Sequence, residues 1–314
     1  MIQSMTLIDQ LKTIADPRCH KGQRHPLWLI LFLSLLGSLC GYWGYRPLAA
    51  FSRKHHSHLC QLLGLPETTR MPSYSTFRRV FQQVEARAWV DVFNSWTLAH
   101  APALAGRWLS IDGKSIKCTS CGGNSATQDF VSLVSVYGHD DEGVVQLQLM
   151  HNKEVSEIEV AKQLLQQLPS ATLASCLTLD ALHAQTETVQ LLHQHQQEYL
   201  IGLKANQPKL YRAAQTLREQ STPLSVATEQ EQTHSRQVQR RAWVYAAPDA
   251  WQQKWRGLRS LVWVERQGWR TQQPFYQMHC YLTFYQMHCY LSSCGLSASE
   301  FLQHIRKHWH IENG

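Results

Sequence analysis

The sequence predicts an α/β protein in two parts, an all-helical first third followed by a mixed sheet with flanking helices. Three observations lead there. Up to about residue 104, apolar positions recur at helical spacing and are punctuated by Pro17, Pro47 and Pro72. From residue 106 short runs rich in β-branched residues begin, bounded by Gly- and Asp-containing turns. Those runs then alternate with amphipathic stretches, the order that builds a sheet layered with helices.

Taken in order, "SMTLIDQLKTIAD" (4–16) reads as a helix stopped by Pro17. The uncharged run at 27–45 is long enough to span a bilayer, yet it carries three glycines and two serines, and no second run of that length follows. It is read as a buried core helix entering a Gly-rich turn before Pro47. "PLAAFSRKHHSHLCQLLG" (47–64) is a further helix ending at glycine. His55, His56 and His58 are read as its solvated, basic face, with metal ligation as the alternative. In "PSYSTFRRVFQQVEARAWVDVFNSW" (72–96), Ser73 or Ser75 can cap a helix whose Phe77, Val80, Phe81 and Val84 share one face. Arg78 and Arg79 on its early turns fit a helix-turn-helix-like DNA reader, and equally an ordinary helical pair with exposed arginines.

"GRWLSIDGK" (106–114) is a short strand ending in a polar turn. "FVSLVSVYG" and "VVQLQLM" are strands joined by "HDDEG". "SEIEVAKQLLQQL" is an amphipathic helix, "ATLASCLTLDA" a buried strand, "TETVQLLHQHQQ" a helix and "YLIGLKANQ" a strand. Residues 216–235 are polar and read as a surface loop. Further strands follow in "RQVQRRAWVYAA", "LRSLVWVERQ" and "PFYQMHCYL". A last helix begins in "SASEFLQHIRKHWHIEN", with Ser297 as cap and Glu300 at its third position.

Composition narrows the function classes. Apolar residues make up 44% and charged ones 17% of 314 residues, a globular balance rather than a disordered one. A net charge of +7 favours a polyanionic partner. The nine cysteines are odd in number and scattered, and "MIQSMTLIDQLK" lacks the apolar core of a leader, so reduced thiols in the cytoplasm are expected. Cys118 and Cys121 form a CxxC, but no second pair completes a zinc site.

Two acids stand out among apolar strands: Asp112 closing "LSID" and Asp180 closing "LTLD". Taken alone, an aspartate at a strand end is more often a turn or cap residue. Two on neighbouring strands can converge on one hard divalent cation. A third carboxylate from a helix laid over that end would finish a two-metal phosphoryl-transfer site. Glu312 is a candidate, with Glu300 and Glu265 as alternatives.

From about residue 7 onward the chain resembles the DDE transposases of insertion sequences, in particular the H-repeat-associated group. The matching pieces run in order: "DPR" (16–18), "PSYSTFRRVF" (72–81), "IDGKSIK" (111–117), "VSLVSVY" (131–137) and "NKEVSEI" (152–158). Then come "TLDALHAQ" (178–185), "YLIGLKANQPKL" (199–210), "HSRQVQR" (234–240) and "HWHIEN" (308–313). The resemblance implies an RNase H-like catalytic domain over 105–314 with a strand-rich insertion at about 216–292. A helical, DNA-binding domain over 1–104 would precede it. It implies Asp112, Asp180 and Glu312 as the catalytic triad and the ligands of two Mg²⁺ ions, with Mn²⁺ as a substitute. The implied partner is double-stranded DNA at insertion-sequence ends, and a homodimer on that DNA is compatible with it. The implied location is the bacterial cytoplasm, at the nucleoid when DNA-bound. Lys114, Lys204, Asn206 and Gln207 are placed to contact phosphates. His308, one turn before Glu312, would orient the carboxylate or touch DNA, with Trp309 beside it as a core anchor.

Three departures from the family pattern bear on activity. Val238 stands where the family usually has glutamate. "FYQMHCYLT" (275–283) is followed at once by "FYQMHCYLS" (284–292), although only one copy can feed the last helix in register. The sequence closes at Gly314, where related sequences continue with an apolar helical stretch. The expectation is a transposase impaired in cleavage, with a DNA-binding remnant lacking catalysis as the alternative.

Overall fold

The structure, a computed structural model, describes residues 6–100, 106–120, 129–140, 142–168, 175–233, 236–271 and 281–308. The chain divides into two compact units, residues 1–101 and 102–314.

The first unit is built from α1 (Leu7–Leu11), α2 (Leu27–Leu39), α3 (Tyr45–Lys54), α4 (His56–Leu63), α5 (Tyr74–Phe81) and α6 (Ala86–His100). Its core gathers Leu11, Leu29, Ile30, Leu31 and Leu33 with Phe51, Phe77 and Val80. The apolar run is therefore interior. Helix α2 covers only 13 residues, and among the described residues no helix is long and apolar enough to cross a membrane. The Gly-rich turn expected after it is present, with Gly41 and Gly44 at φ 84° and 96°. Within α2, Gly37 is where α3 crosses: a Cβ there would sit 2.7 Å from Leu48 and 3.1 Å from Phe51. Gly37→Ala is expected to cost about 1–3 kcal/mol by overpacking, and an unchanged urea midpoint would contradict this close approach.

Three helix expectations need correction. The first helix stops at Leu11, well before Pro17. The stretch 47–64 breaks at His55 into α3 and α4. The stretch 72–96 is two helices, and Arg78 and Arg79 lie in the last turn of the eight-residue α5, not its early turns. Ser73 is the cap, its hydroxyl accepting from the Thr76 amide at 3.3 Å. His56 binds the Thr69 carbonyl at 2.8 Å and so ties α4 to the segment entering α5.

The second unit is a nine-stranded sheet. Its strands are β1 (Trp108–Ser115), β2 (Val131–Gly138), β3 (Gly143–His151), β4 (Cys176–Leu179), β5 (Glu198–Leu203), β6 (Ser225–Thr233), β7 (Arg236–Ala246), β8 (Ser260–Thr271) and β9 (Tyr281–Ser292). They lie in the order β3-β2-β1-β4-β5-β9-β8-β7-β6. Strands β1, β4 and β5 are mutually parallel and every other pairing is antiparallel. The intervening helices are α7 (Glu157–Gln167), α8 (Thr186–Gln194), α9 (Pro208–Gln220), the single turn α10 (Asp249–Gln252) and α11 (Ala298–His308). Helix α7 packs on β2 and β3, and α8 on β5. Helix α11 sinks Ala298, Phe301, Leu302 and Ile305 among Ala242, Val244, Val262 and Val264. Its start is the expected capping box: the Ser297 amide donates to Glu300 Oε2 at 2.9 Å, and the Glu300 amide to Ser297 Oγ at 3.4 Å.

The polar stretch 216–235 is not a loop. It holds the end of α9 and the edge strand β6, whose residues alternate between half-buried and exposed. The half-buried positions are Ser225, Glu229 and Glu231, used for polar pairing, and the small Ala227, so the hydrophobic alternation of a strand is missing. Ser225 Oγ accepts from the Ala298 amide at 2.8 Å, and Glu231 pairs with Arg240 at 2.8 Å. Val238, the departure from the family pattern, is only 3% exposed and stands opposite Glu231 in β7.

The tandem copies take different places. All of the second copy lies in β9, with Cys289 and Leu291 between β5 and β8. Of the first copy, residues 281–283 extend that strand against 269–271, and the remainder lies outside the described residues. The second copy feeds α11. Cys121 and Trp309 also lie outside the described residues.

Candidate active site

Both aspartates stand where the parallel β1–β4 ladder ends. That ladder pairs Trp108 with Cys176, Leu109 with Leu177, Ser110 with Thr178 and Ile111 with Leu179. Asp112 and Asp180 are the next residue on each strand, so they leave the ladder level with one another, about 4.8 Å apart in the pairing direction. Asp180 follows β4 directly, as expected, and caps a short turn by accepting from the Leu182 amide. Asp112 does not terminate its strand. It is the fifth of eight residues in β1, because β2 continues to pair along the other edge as far as Ser115.

The turn after Asp180 is held from the neighbouring strand end. The Asn206 side-chain amide donates to the Ala181 carbonyl, and Gln207 Nε2 to the Ala184 carbonyl at 2.8 Å. Gly202 on β5 lies so near that a Cβ would come within 3.1 Å of the Ala181 nitrogen. Asn206 and Gln207 thus spend these donors on positioning Asp180. Lys204, beside them, lines a cavity of about 300 Å³ together with Asp180, Tyr211, His288 and His308.

A fourth carboxylate, absent from the sequence reading, lies against the same strand. Glu157 opens α7, whose cap Ser156 accepts from the Glu159 amide at 3.3 Å. A Cβ at Gly113 would fall 2.5 Å from Glu157 Oε2, so a larger residue there would push this carboxylate out of its present place. His183, 1% exposed, approaches Glu157 at 3.5 Å, and among the described residues neither ring nitrogen makes a hydrogen bond. The signal was available: Glu157 belongs to the "NKEVSEI" piece, but nothing in its local pattern told it from an acid in a first helical turn. Gly113→Ala should destabilise by less than about 1 kcal/mol, because the flexible Glu157 side chain can swing aside, and should cost still less when Glu157 is already alanine. Equal costs in the two backgrounds of this double-mutant cycle would show that the residues do not touch.

Burial, and then the negative charges of Glu157 and Asp180, raise the Asp112 carboxyl above its usual range, only partly offset by the Gly113 amide and Lys114. The carboxylates repel across a half-buried site with little compensating charge. All are hard oxygen donors, a set suited to a divalent cation of the Mg²⁺ or Mn²⁺ kind. Among the described residues no group of three or more His, Cys, Asp or Glu is gathered closely enough to hold a metal ion. Glu312 lies outside the described residues.

Helix α11 is anchored over this strand end by imidazoles. The His304 ring stacks on Trp108 with centroids 3.7 Å apart. Four residues later, His308 Nδ1 lies 2.7 Å from Thr178 Oγ1 and 3.2 Å from Ser110 Oγ. Ser110 Oγ also contacts Thr178 Oγ1 at 2.7 Å and His139 Nε2 at 2.6 Å. His308 therefore serves as an anchor between helix and sheet. Burial depresses all three histidines, His139 to about 3 and His304 and His308 to about 4. Near neutral pH they are uncharged, which a dry hydroxyl–imidazole network requires.

A family model described as "Transposase DDE domain" matches residues 105–314, and one described as "DDE_Tnp_1-associated" matches residues 8–97. Similar proteins include an uncharacterized protein in the dhlA 3' region of Xanthobacter autotrophicus, 27% identical across 86% of this chain and 91% of that one. The putative transposase YncI of Escherichia coli O157:H7 is 25% identical across 98% of this chain and 77% of its own length. The H repeat-associated putative transposase YhhI of Escherichia coli K12 is 24% identical across 98% and 80%.

Proposed function

Because this chain belongs to the DDE transposase family, we propose that it binds the DNA ends of a mobile element and cleaves and joins their strands, with Asp112, Asp180 and Glu312 as the catalytic carboxylates. The observation that carries this is the level placement of Asp112 and Asp180 at the end of one parallel ladder. The five strands β3-β2-β1-β4-β5, with β2 antiparallel and β4 and β5 parallel to β1, support the RNase H-like reading. Strands β6 to β9 then correspond to the expected insertion.

The α11 anchors support Glu312 as the third acid. His304 meets Trp108 and His308 meets Ser110, so one helical turn advances two strand residues. The two steps match, at about 6 Å for four helical residues and about 6.6 Å for two strand residues. The anchored end of α11 therefore lies beside the strand that carries Asp112, and Glu312 follows four residues later in the sequence.

Divalent cations held by these carboxylates would supply Lewis-acid activation of a water or a DNA 3′-hydroxyl and would stabilise the leaving oxygen. The remaining roles belong to the chain itself. Asn206 and Gln207 fix the turn that aims Asp180. Lys204 in the adjoining cavity, and Lys114 two residues beyond Asp112, offer charge to flanking phosphates. The neutral histidine network fixes the register of α11 against β1 and β4.

The test is strand cleavage and joining on a supercoiled plasmid carrying the DNA that flanks this gene, with Mg²⁺ or Mn²⁺. Asp112→Asn and Asp180→Asn should each lower the rate by about three orders of magnitude, about 4 kcal/mol of barrier, while DNA affinity persists. Cleavage surviving either substitution would refute the assignment. Binding without cleavage in the unaltered protein would favour a DNA-binding role alone.

A further inference from the structure

The helical first unit contains a cavity of about 580 Å³, large enough for a sugar–phosphate segment, between the loop at 18–25 and the start of α5. Lys21, Arg24, Arg70 and Arg79 line it, and its described lining contains no acid. Among the described residues Lys21, Arg24 and Arg70 have no ion-pair partner, and all four cations are exposed. Arg79 donates Nε to the Ser75 carbonyl at 3.2 Å, which steadies the guanidinium at the cavity wall.

The loop is built to hold this shape. Arg18 is clamped to Asp16 by two hydrogen bonds of 2.7 and 2.9 Å and donates to the carbonyls of Gly22 and His25 at 3.2 and 2.8 Å. A buried guanidinium thus organises the loop that presents Lys21 and Arg24. At the opposite wall, Ser73, Ser75 and Thr76 bring hydroxyls to the N-terminus of α5, where the helix dipole favours negative charge.

The same cavity also takes in a buried histidine. His25 is 8% exposed and lines the cavity. Burial and then the charges of Arg24 and Arg18 hold its pKa below the usual range, so the ring itself is neutral and the cavity's charge comes from the lysine and arginines. A pocket lined by cations that have no ion-pair partner among the described residues is completed by a ligand that accepts hydrogen bonds and carries negative charge.

We propose that this cavity is a phosphate-binding site that grips the phosphodiester backbone of duplex DNA through Lys21, Arg24, Arg70 and Arg79. Apart from His25 the lining has no aromatic ring on which a base could stack, which favours backbone phosphate over a free nucleotide. Contacts of this kind add affinity without sequence readout, so the site anchors DNA while any base selection lies elsewhere. The proposal rests on the transposase reading, and it names the part of the first unit that holds the DNA.

The test uses the full chain and fluorescence anisotropy on a 30-base-pair duplex carrying one end of the flanking DNA, across a salt series. The exposed double variant Arg24→Ala/Arg70→Ala should weaken binding at fixed salt by about 10- to 100-fold. It should also flatten the slope of log affinity against log salt by about 2, since each lost phosphate contact removes close to one unit. Arg53→Ala/Lys54→Ala, two exposed cations outside the cavity, should leave the slope unchanged. An unaltered slope in the cavity variant, with an unaltered melting temperature, would overturn the proposal. So would calorimetric binding of inorganic phosphate or a mononucleotide below about 0.1 mM that disappears in the variant while DNA binding stays intact, which would assign the site to a small anion. Failure here remains separable from failure of the transposase reading, because Asp112→Asn should abolish cleavage with the salt slope unchanged.

Discussion

Replacing Asp112 by asparagine should raise the melting temperature of the metal-free protein while removing its response to added Mn²⁺. Asp112 is half-buried, and Glu157 and Asp180 act on it with like charge, so its carboxylate is less favourable in the folded chain than in the unfolded one. The sign follows from linkage. A carboxyl whose folded pKa is raised binds its proton more readily when folded, so stability falls as pH rises from the ordinary carboxylate range through the raised value. Asparagine keeps the shape and removes the charge. At pH 7 the gain should be modest, about 1 kcal/mol after allowance for solvent screening, or several degrees of melting temperature for a unit of this size. In the parent protein Mn²⁺ should raise the melting temperature by satisfying the same charges, and the variant should lose most of that rise. A variant that melts lower than its parent, with an undiminished Mn²⁺ response, would mean that Asp112 is a structural cap rather than a ligand. Together with the cleavage assay, this separates loss of metal from loss of fold.

Acid should release α11 before it unfolds the rest of the second unit. His139, His304 and His308 are depressed to about 3, 4 and 4, and all three lie between α11 and the β1 strand. The groups facing them include Asp180, Asp140, Glu300 and Lys307, and burial outweighs these charges in every case. A histidine depressed in the folded state binds its proton preferentially when unfolded. Its contribution is therefore intact above about pH 6.5 and is lost as pH falls toward the folded value. His139, 2% exposed, contributes at most about 1.4 kcal/mol for each pH unit in that window. The half-exposed His304 contributes less. Melting temperatures between pH 7 and pH 4.5 should fall steeply, and His139→Gln, which cannot titrate, should flatten the curve. An identical pH profile in that variant would rule out the network as the acid-sensitive element. Since the network holds α11 against the strand that carries Asp112, cleavage should fade over the same window.

Legibility in the sequence differed from element to element, and for identifiable reasons. Ser297 announced its helix because a cap is a local chemical fact, readable within four residues. The strand after Asp112 was cut short in the reading because "DGK" has turn chemistry, whereas in the fold β2 supplies partners that carry β1 to Ser115. Strand β6 was invisible because its inward positions hold serine, alanine and glutamates paired with arginines, which leaves no apolar alternation to detect. The duplicated nonapeptide could not be placed by pattern, since identical segments have identical propensities and only the neighbours β5 and β8 choose between them.

By itself the sequence determined the two-part character of the chain and the interior course of the uncharged run, and it singled out Asp112 and Asp180 as acids at the ends of apolar strands. Each of these follows from composition, spacing or short motifs, which act over a few residues. Only the tertiary structure decided that the two aspartates leave one parallel ladder level with each other. It also decided that Glu157 presses against Gly113, that Asn206 and Gln207 serve the turn after Asp180, and that scattered histidines form one neutral network under α11. It alone gathered Lys21, Arg24, Arg70 and Arg79 around a buried histidine. Repulsion, desolvation and hydrogen bonding depend on distances in space, and residues far apart in the chain acquire those distances only when the sheet and helices close.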